Sequence, residues 1–596
     1  MARLPEIPVD SALARLFAKP RVEAEATWFS VPGGLPLYRS GEPADQLFLV
    51  RAGRLAAIRR EAGQEPQFLG VIKPGEPAGE MALMAGTAHS ADVMALRDSE
   101  IFALPRDVFF DAAESDPAVM TELARLMILR TRQAAQRGVG GEPSVFGFVT
   151  VGRPVALRPI VDRIGRAIGR LGYSVTVIGA EATHAPTEWF SEVERTHDFV
   201  LYLAEAEELG WRALVSRQVD RLFRVGRGDQ PPPRITPNPA LAAPLEAQAM
   251  VDLILVQPAD CAMPQGAEAW VKAINPARVI HLRREGEADV ERLARIITGQ
   301  SVGLVLSGGG ARAYAHVGAI RALRERGVPL DFVGGASMGA IVAAGVAMGW
   351  DDAELDHRIR KAFVDSSPLD DIAFPLLAMT QGLKVSERLA EHFGEVAISD
   401  LWLPFFCVSS NLTTGAYHLH RRGRLTRALR ATIALPGILP PATDHNEVLV
   451  DGAVLKNFPA DIMRSVQSGP VVGVDVTRGR SITADDVARP ESVWRWLFSG
   501  QWRKGPPIVS LLMRAATVST GRDLAAAREA TDVLITPEVA GVEIRDWEAY
   551  DPAVQAGYQA TLAALDALDR PVSELRRRPS LEEIPAQPRT FAGVVR

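Results

Sequence analysis

The chain runs to 596 residues, 47% of them hydrophobic and 23% charged, with a formal net charge of −6. That length leaves room for roughly four domains, each able to bury a core, and the composition excludes disordered and fibrous classes. A net negative balance argues against a general nucleic-acid binder, whose electrostatic footprint is basic. Two cysteines, Cys261 and Cys407, lie far apart and match no metal spacing or disulfide framework, which suits a reducing compartment. The stretch MARLPEIPVDSALARLFAKP lacks the apolar core of a signal peptide, and nowhere do about 18 apolar residues run together as a spanning helix requires. A cytoplasmic protein is expected.

Residues 1–136 read as a first domain. Gln46 to Ile58 and Ile101 to Pro105 give short strands, with turn glycines at Gly53, Gly63 and Gly75. A helical tail follows from Ala118 to Gln136, apolar at Val119, Leu123, Leu126, Met127 and Leu129. The pattern resembles a cyclic-nucleotide-binding β-roll with its closing helix. In that family a Gly-Glu-x-Ala-Leu segment caps the phosphate and ribose, matched here by Gly79-Glu80-Met81-Ala82-Leu83. An arginine on the cyclic phosphate then follows, and the matching position here is His89. An imidazole is a poor replacement for a bidentate guanidinium. Glu80 and His89 therefore read as a nucleotide-pocket remnant, in a domain used for contacts or regulation without a cyclic nucleotide.

Gln136 to Pro143 reads as a linker. Residues 144–300 then alternate strand and helix, with strands at Phe146–Val151, Val175–Ile178, Phe199–Leu203, Val251–Val256 and Val279–Leu282. That predicts an α/β spacer domain with a mostly parallel sheet. Its first strand–helix turn, Gly152-Arg153-Pro154, lacks the Gly-Lys-Ser/Thr of a phosphate loop.

The chemistry concentrates in residues 301 to 349. Val302 to Leu306 is an apolar run stopped by Gly308-Gly309-Gly310, and Phe332-Val333 leads into Gly335-Ala336-Ser337-Met338-Gly339. The pentad is Gly-x-Ser-x-Gly, the nucleophile elbow. A sharp strand-to-helix turn lifts the serine hydroxyl into the open, and small residues two places either side let helix and strand approach. Acyl transfer also needs donors aimed at a developing oxyanion. The N–H groups of Gly309, Gly310 and Ala311 at a helix start serve, with Arg312 adding positive charge. A competing reading takes Gly308-x-Gly310-x-x-Ala313 as a dinucleotide fingerprint with Asp331 on the ribose. A nucleophile elbow in the next turn is foreign to such a site.

Gly-Gly-Gly-Ala-Arg, Ala-His-Val-Gly, Gly-Ala-Ser-Met-Gly and Val450-Asp451-Gly452-Ala453 together resemble the patatin-like phospholipases. Ser410 to Gly415, Ala434 to Pro441 and Lys456-Asn-Phe-Pro459 resemble family segments too, while Ala313 stands where the family usually has glycine. Trp189, Glu194, Asp198, Trp211, Arg217, Gln218 and Asp220, with the order of β-roll, spacer and hydrolase, resemble the neuropathy target esterase branch. The resemblance implies a three-layer α/β hydrolase, with a catalytic domain at 301–480 and a helical C-terminal part at 481–577. It implies a Ser337–Asp451 dyad and acyl esters of glycerophospholipids or lysophospholipids as substrate. The motif glycines Gly308, Gly335, Gly339 and Gly452, with Ala453, frame that dyad. Spacing alone leaves the base open: an acid such as Asp370 or Asp371 with His418, His420 or His445 is a formal alternative. Val448-Leu449-Val450 puts Asp451 at a buried strand end, where desolvation raises its basicity. Ile372 to Met379 is apolar and suits an acyl channel or ordinary core.

Trp494 to Phe498, Gln501 to Lys504 and Ile508 to Met513 mix Trp, Arg and Lys with aliphatics, as an interfacial helix on lipid or a helix packed on the core would. Residues 578–596 read as a mobile tail. No ligand cluster calls for a metal or other cofactor. Three classes stay open: a lipid esterase, an acyltransferase using the same acyl-enzyme, and a non-catalytic regulatory protein.

Overall fold

The apolar runs become strands in a computed structural model, which describes residues 12–17, 19–59, 67–96, 98–135, 143–185, 187–205, 207–233, 251–366, 371, 373, 378–477, 521–539, 541–543, 546–580 and 583. The tryptophan-rich stretch from Trp494 to Met513, Asp370, most of the apolar segment from Ile372 and nearly all of the C-terminal tail lie outside them. The chain divides into two units: Met1–Val256 with Ala273–Arg278 and Pro579–Arg596, and Gln257–Lys272 with Val279–Arg578.

The first unit opens with two antiparallel four-stranded sheets. One runs in the order Thr27–Val31, Ser99–Pro105, Gln46–Ala52, Pro77–Ala78, and the other Pro36–Tyr38, Asp92–Ala95, Leu55–Arg59, Gln67–Ile72. Val50, Leu55, Val93 and Ile101 fill the space they enclose. Gly53 turns between strands at φ +92°, where a Cβ would lie 2.5 Å from Ser99 Cα, so both backbone sign and space demand glycine. The closing helix Pro117–Ala135 buries Val119 and Leu123 with Leu47 and Leu104.

Beyond it, five parallel strands lie in the order Val175–Ile178, Phe199–Ala204, Val145–Thr150, Arg221–Arg227, Val251–Gln257. Strands covered on both faces read as near-continuous apolar runs, as Val145–Thr150 and Phe199–Ala204 do. Arg221–Arg227 does not, and the sequence reading passed it over. Its first arginine is paired with a buried acid on the next strand: Arg221 Nε donates to Asp252 Oδ2 at 2.6 Å, and Arg278 Nη2 donates to the same oxygen at 2.6 Å.

The second unit carries one large sheet. Its strands are β1 (Gly303–Leu306), β2 (Phe332–Ala336), β3 (Phe405–Asn411), β4 (Ala416–His420), β5 (Ala442–Asp444), β6 (Glu447–Asp451), β7 (Val471–Val474) and β8 (Val533–Ile535). The order is β5-β6-β3-β2-β1-β7-β8, with β4 also on β3. Strands β3, β2, β1, β7 and β8 pair in parallel, while β6 and β4 join β3 antiparallel. Alternation splits the side chains between two cores. Leu304, Leu306, Val333 and Cys407 meet helices Ala315–Glu325, Ser337–Ala347 and Leu425–Thr432 on one face. Val305, Phe332, Phe406 and Val408 meet the helix Ala460–Val466 on the other. This is a three-layer α/β fold. Edge strand β8 comes from the C-terminal stretch expected to be helical.

The helix Ser337–Ala347 is apolar all round, and Met338 through Ala347 are all buried. That pattern belongs to a helix enclosed on every side. Its small side chains bury little area each, but they let the helix sit close to the sheet.

Candidate active site

The elbow forms where β2 ends. Ser337 has φ +51°, the left-handed region that costs a side-chain-bearing residue about 1–2 kcal/mol. The glycines on either side make the turn possible. A Cβ on Gly335 would lie 2.6 Å from the Leu306 carbonyl oxygen, and one on Gly339 2.4 Å from that of Ser307. Thr432 holds the strained residue. It is fully buried, accepts from Ser337 N–H at 2.9 Å and donates to Val408 O at 2.5 Å.

Sheet register brings Asp451 to the serine. Strand β4 occupies one edge of β3 from Cys407 to Asn411. On the other edge β2 pairs through Ala336↔Val408, and β6 takes over at once with Asp451↔Ser409. Asp451 thus fills the position next to the one where β2 leaves the sheet at Ser337. Ser337 Oγ donates to Asp451 Oδ2 at 2.7 Å, and Ala453 N–H donates to Oδ1 at 2.8 Å. The carboxyl is 1% exposed. Burial pushes its pKa up to about 7, against the lowering effect of those two hydrogen bonds. Gly452 is required for contact: its Cβ would lie 2.4 Å from Val408 O.

The glycine loop passes beside the nucleophile, since a Cβ on Gly308 would lie 2.9 Å from Ser337 Cβ. Gly310 turns it at φ +57° into the short helix Gly310–Tyr314, whose first N–H groups, those of Gly310 and Ala311, precede any intrahelical acceptor. Arg312 Nε reaches back to Gly309 O at 3.4 Å. Two further residues fix this loop. Asn457 accepts from Gly308 N–H through its backbone carbonyl at 3.2 Å and donates from Nδ2 to Gly308 O at 3.1 Å. His316 lies 2.8 Å from Ser307 O through Nε2, and burial pushes its pKa down to about 4, so the neutral ring donates there. Sequence reasoning assigned no role to Thr432, Asn457 or His316. Asn457 and His316 fall within the Lys456-Asn-Phe-Pro459 and Ala315-His-Val-Gly318 segments that carry the family resemblance, whereas nothing in the sequence points to Thr432.

Among the described residues the formal triad is not assembled. His420 Nε2 lies 2.8 Å from Ser409 Oγ, and burial pushes its pKa down to about 4. His418 meets Glu447 at 3.2 Å, and His445, 93% exposed, meets Asp444 at 2.8 Å. Asp371 Oδ2 caps the helix Leu383–Phe393 by accepting from Leu383 N–H at 2.7 Å. The dinucleotide reading fails as well. Asp331 is fully buried, and its oxygens accept from Arg295 at 2.7 and 2.9 Å and from Val302 N–H at 3.0 Å.

In the β-roll, Glu80 is buried and its Oε1 accepts from Arg130 of the closing helix at 2.6 Å. His89 is buried too, stacked on Tyr38 with ring centres 3.7 Å apart, and a Cβ on Gly79 would lie 3.2 Å from its Cε1. Burial lowers the pKa of His89. The acid expected on a ribose is thus paired internally, and the residue at the phosphate position is a neutral stacked ring.

Among the described residues no cluster of His, Cys, Asp and Glu suits a metal ion, and no helix is long and apolar enough to cross a membrane. Residues 304–464 match the patatin-like phospholipase family and residues 28–116 the cyclic nucleotide-binding domain. An uncharacterized NTE family protein of Mycobacterium tuberculosis is 32% identical over 556 residues, 90% of this chain and 91% of the relative. Neuropathy target esterase sws of Drosophila melanogaster is 28% identical, over 83% of this chain and 39% of that protein. Patatin-like phospholipase domain-containing protein 6 of Homo sapiens is 27% identical, over 89% and 44%. A crystal structure of Thermus thermophilus catabolite activator protein is 25% identical, over 26% of this chain and 70% of that one, with a TM-score of 0.19. Matched along nearly its whole length by a relative of the same extent, the chain belongs to the NTE family, the neuropathy target esterase branch of the patatin-like phospholipases.

Proposed function

We propose that this lipid hydrolase cleaves fatty-acyl esters of phospholipids or lysophospholipids through an acyl-enzyme on Ser337, with Asp451 as the base. The observation that carries the reading is the 2.7 Å hydrogen bond from Ser337 Oγ to a carboxylate buried among apolar side chains. As Oγ attacks the ester carbonyl carbon, Asp451 Oδ2 takes its proton, and the carbonyl electron pair moves onto oxygen. The N–H groups of Gly309, Gly310 and Ala311 stabilise that oxyanion, with Arg312 adding positive charge. Collapse expels the alcohol oxygen, which takes the proton from Asp451, and leaves acyl-Ser337. Water then gives a proton to Asp451 and attacks the acyl carbon. Ser337 Oγ leaves, regains the proton, and the fatty acid is released.

A general base works best with a pKa near the working pH, and a carboxyl pushed up to about 7 meets that condition without a histidine. The substrate bond lies at a lipid surface, where the tryptophans from Trp494 to Trp502 would hold the enzyme as a peripheral protein. The β-roll, with Glu80 taken by Arg130, acts without a cyclic nucleotide.

A fluorophosphonate probe followed by mass mapping tests the assignment. Ser337 should carry the label, and Ser337→Ala should abolish both labelling and ester cleavage. A label elsewhere, or an active Ser337→Ala, would refute it.

A further inference from the structure

Asn457 bonds both backbone polar groups of Gly308, through its own carbonyl oxygen and through Nδ2. The second Nδ2 proton goes to Thr477 Oγ1 at 2.7 Å, just past the end of β7. With both protons so placed the amide has one orientation, because turning it over would set its oxygen against Gly308 O. Its Oδ1 is buried and receives no hydrogen bond among the described residues. An amide placed for stability alone would satisfy both ends, so the role of this one lies with its donor.

That donor governs the neighbouring N–H. A trans peptide is planar, with its C=O and N–H pointing in opposite directions. Holding Gly308 O on Asn457 therefore fixes the direction of the Gly309 N–H. Gly309 N–H meets no acceptor among the described residues. Three consecutive glycines carry no side chain to restrict these peptide units, so an anchor outside the loop has to. Arg312 Nε, on Gly309 O at 3.4 Å, acts in the same sense on the Gly310 N–H.

The anchor and the base belong to one short stretch. Asn457 follows Asp451 by six residues. The turn between them is closed by Ala453 N–H on Asp451 Oδ1 at 2.8 Å and by Lys456 N–H on Gly452 O at 2.7 Å. Lys456 Nζ donates to Asp461 Oδ2 at 2.7 Å and ties the end of the stretch to the following helix. A stretch held this way cannot shift the Asp451 carboxyl without also shifting the Asn457 amide.

We propose that Asn457 is a positioning residue of the oxyanion hole. By holding Gly308 O it aims the Gly309 N–H at the carbonyl oxygen of the ester that Ser337 attacks, in register with Asp451. The proposal rests on Ser337 as the nucleophile and on the glycine loop as the oxyanion hole.

The test uses a soluble p-nitrophenyl ester and its thiono analogue, whose C=S sulfur is the weaker hydrogen-bond acceptor, with the full chain and two variants. Asn457→Leu keeps the branched shape without the donor, and Asn457→Ala removes the side chain without any clash, so a failure of one to fold leaves the other. Loss of a whole oxyanion donor costs about 100- to 1,000-fold in kcat, and a donor left unaimed should cost at least about tenfold. KM should stay within about threefold, the mark of an interaction made only in the transition state. The preference for the oxygen ester over the thiono ester should fall at least about fivefold, because sulfur gains less from the donor. A residue that merely supported the fold would lower Tm and the active fraction and leave that preference where it was. A folded variant with kcat within about twofold of the parent, or with kcat lowered and the preference unchanged, would overturn the proposal; fluorophosphonate labelling of Ser337 would then leave the serine assignment standing. An active Ser337→Ala would instead refute the nucleophile, and the role of Asn457 with it.

Discussion

Replacing Asp451 by Asn should abolish turnover while making the protein more stable at alkaline pH. Asn keeps the shape and the acceptor for Ala453 N–H but cannot take a proton from Ser337, so hydrolysis should fall at least about a hundredfold. The stability effect follows from burial. The carboxyl ionises near 3.8 in an unfolded chain and at about 7 in the fold. Between those values the folded state binds the extra proton, so this group's contribution is full below pH 3.8 and is lost as pH rises through 7. A difference of about 3 in pKa, at about 1.4 kcal/mol each, sets the cost of the buried charge at pH 8 on the order of 4 kcal/mol. A neutral amide avoids that cost. Asp451→Asn should therefore melt above the parent at pH 8, with less than half of the gain left at pH 5, where the folded parent's carboxyl is already protonated and only its unfolded chain is still ionised. Calorimetric melting at both pH values, alongside ester hydrolysis, measures both effects. A folded variant with near-normal turnover would refute the base assignment. An inactive variant that melts below the parent at both pH values would show that its loss acts through folding. The rate profile alone decides little, because a carboxyl at about 7 and a free imidazole near 6.5 titrate together.

The same reasoning bears on other positions. His418→Ala, His420→Ala and His445→Ala should each keep activity within about tenfold, since none bonds to Ser337 or Asp451 among the described residues; an inactive, folded His445→Ala would restore the triad. Thr432→Val removes the acceptor of the Ser337 N–H and leaves a buried donor unpaired, at about 1–3 kcal/mol, so both melting temperature and kcat should fall; unchanged kcat would show that the elbow holds itself. Titration calorimetry on the full chain should give no heat with cyclic AMP or cyclic GMP, and micromolar binding would overturn the internal Glu80–Arg130 pairing as a barrier. Replacing Trp494, Trp496 and Trp502 together by Ala should weaken liposome binding while sparing a soluble short-chain ester; equal loss of both would mean the tryptophans pack within the protein.

What the sequence determined by itself is local. Apolar runs of four to seven residues became strands, because burial on both faces leaves no place for alternating polar residues. The elbow was legible because its requirement is contiguous: a positive φ at Ser337 and bare backbone at Gly335 and Gly339 are all set within five residues. The family resemblance named Asp451, yet spacing admitted several histidines and acids. Tertiary structure decided among them, because the neighbour of Ser337 depends on which strand takes up the edge of β3 where β2 departs, 114 residues away in the chain. Non-local packing likewise makes Thr432 the brace of the elbow and sets Arg295 against Asp331, the acid a dinucleotide fingerprint would have placed on a ribose. Arg221–Arg227 hid for a related reason: arginines at every third position break its apolar run, and the buried Asp252 that pairs with Arg221 lies on another strand, 31 residues away.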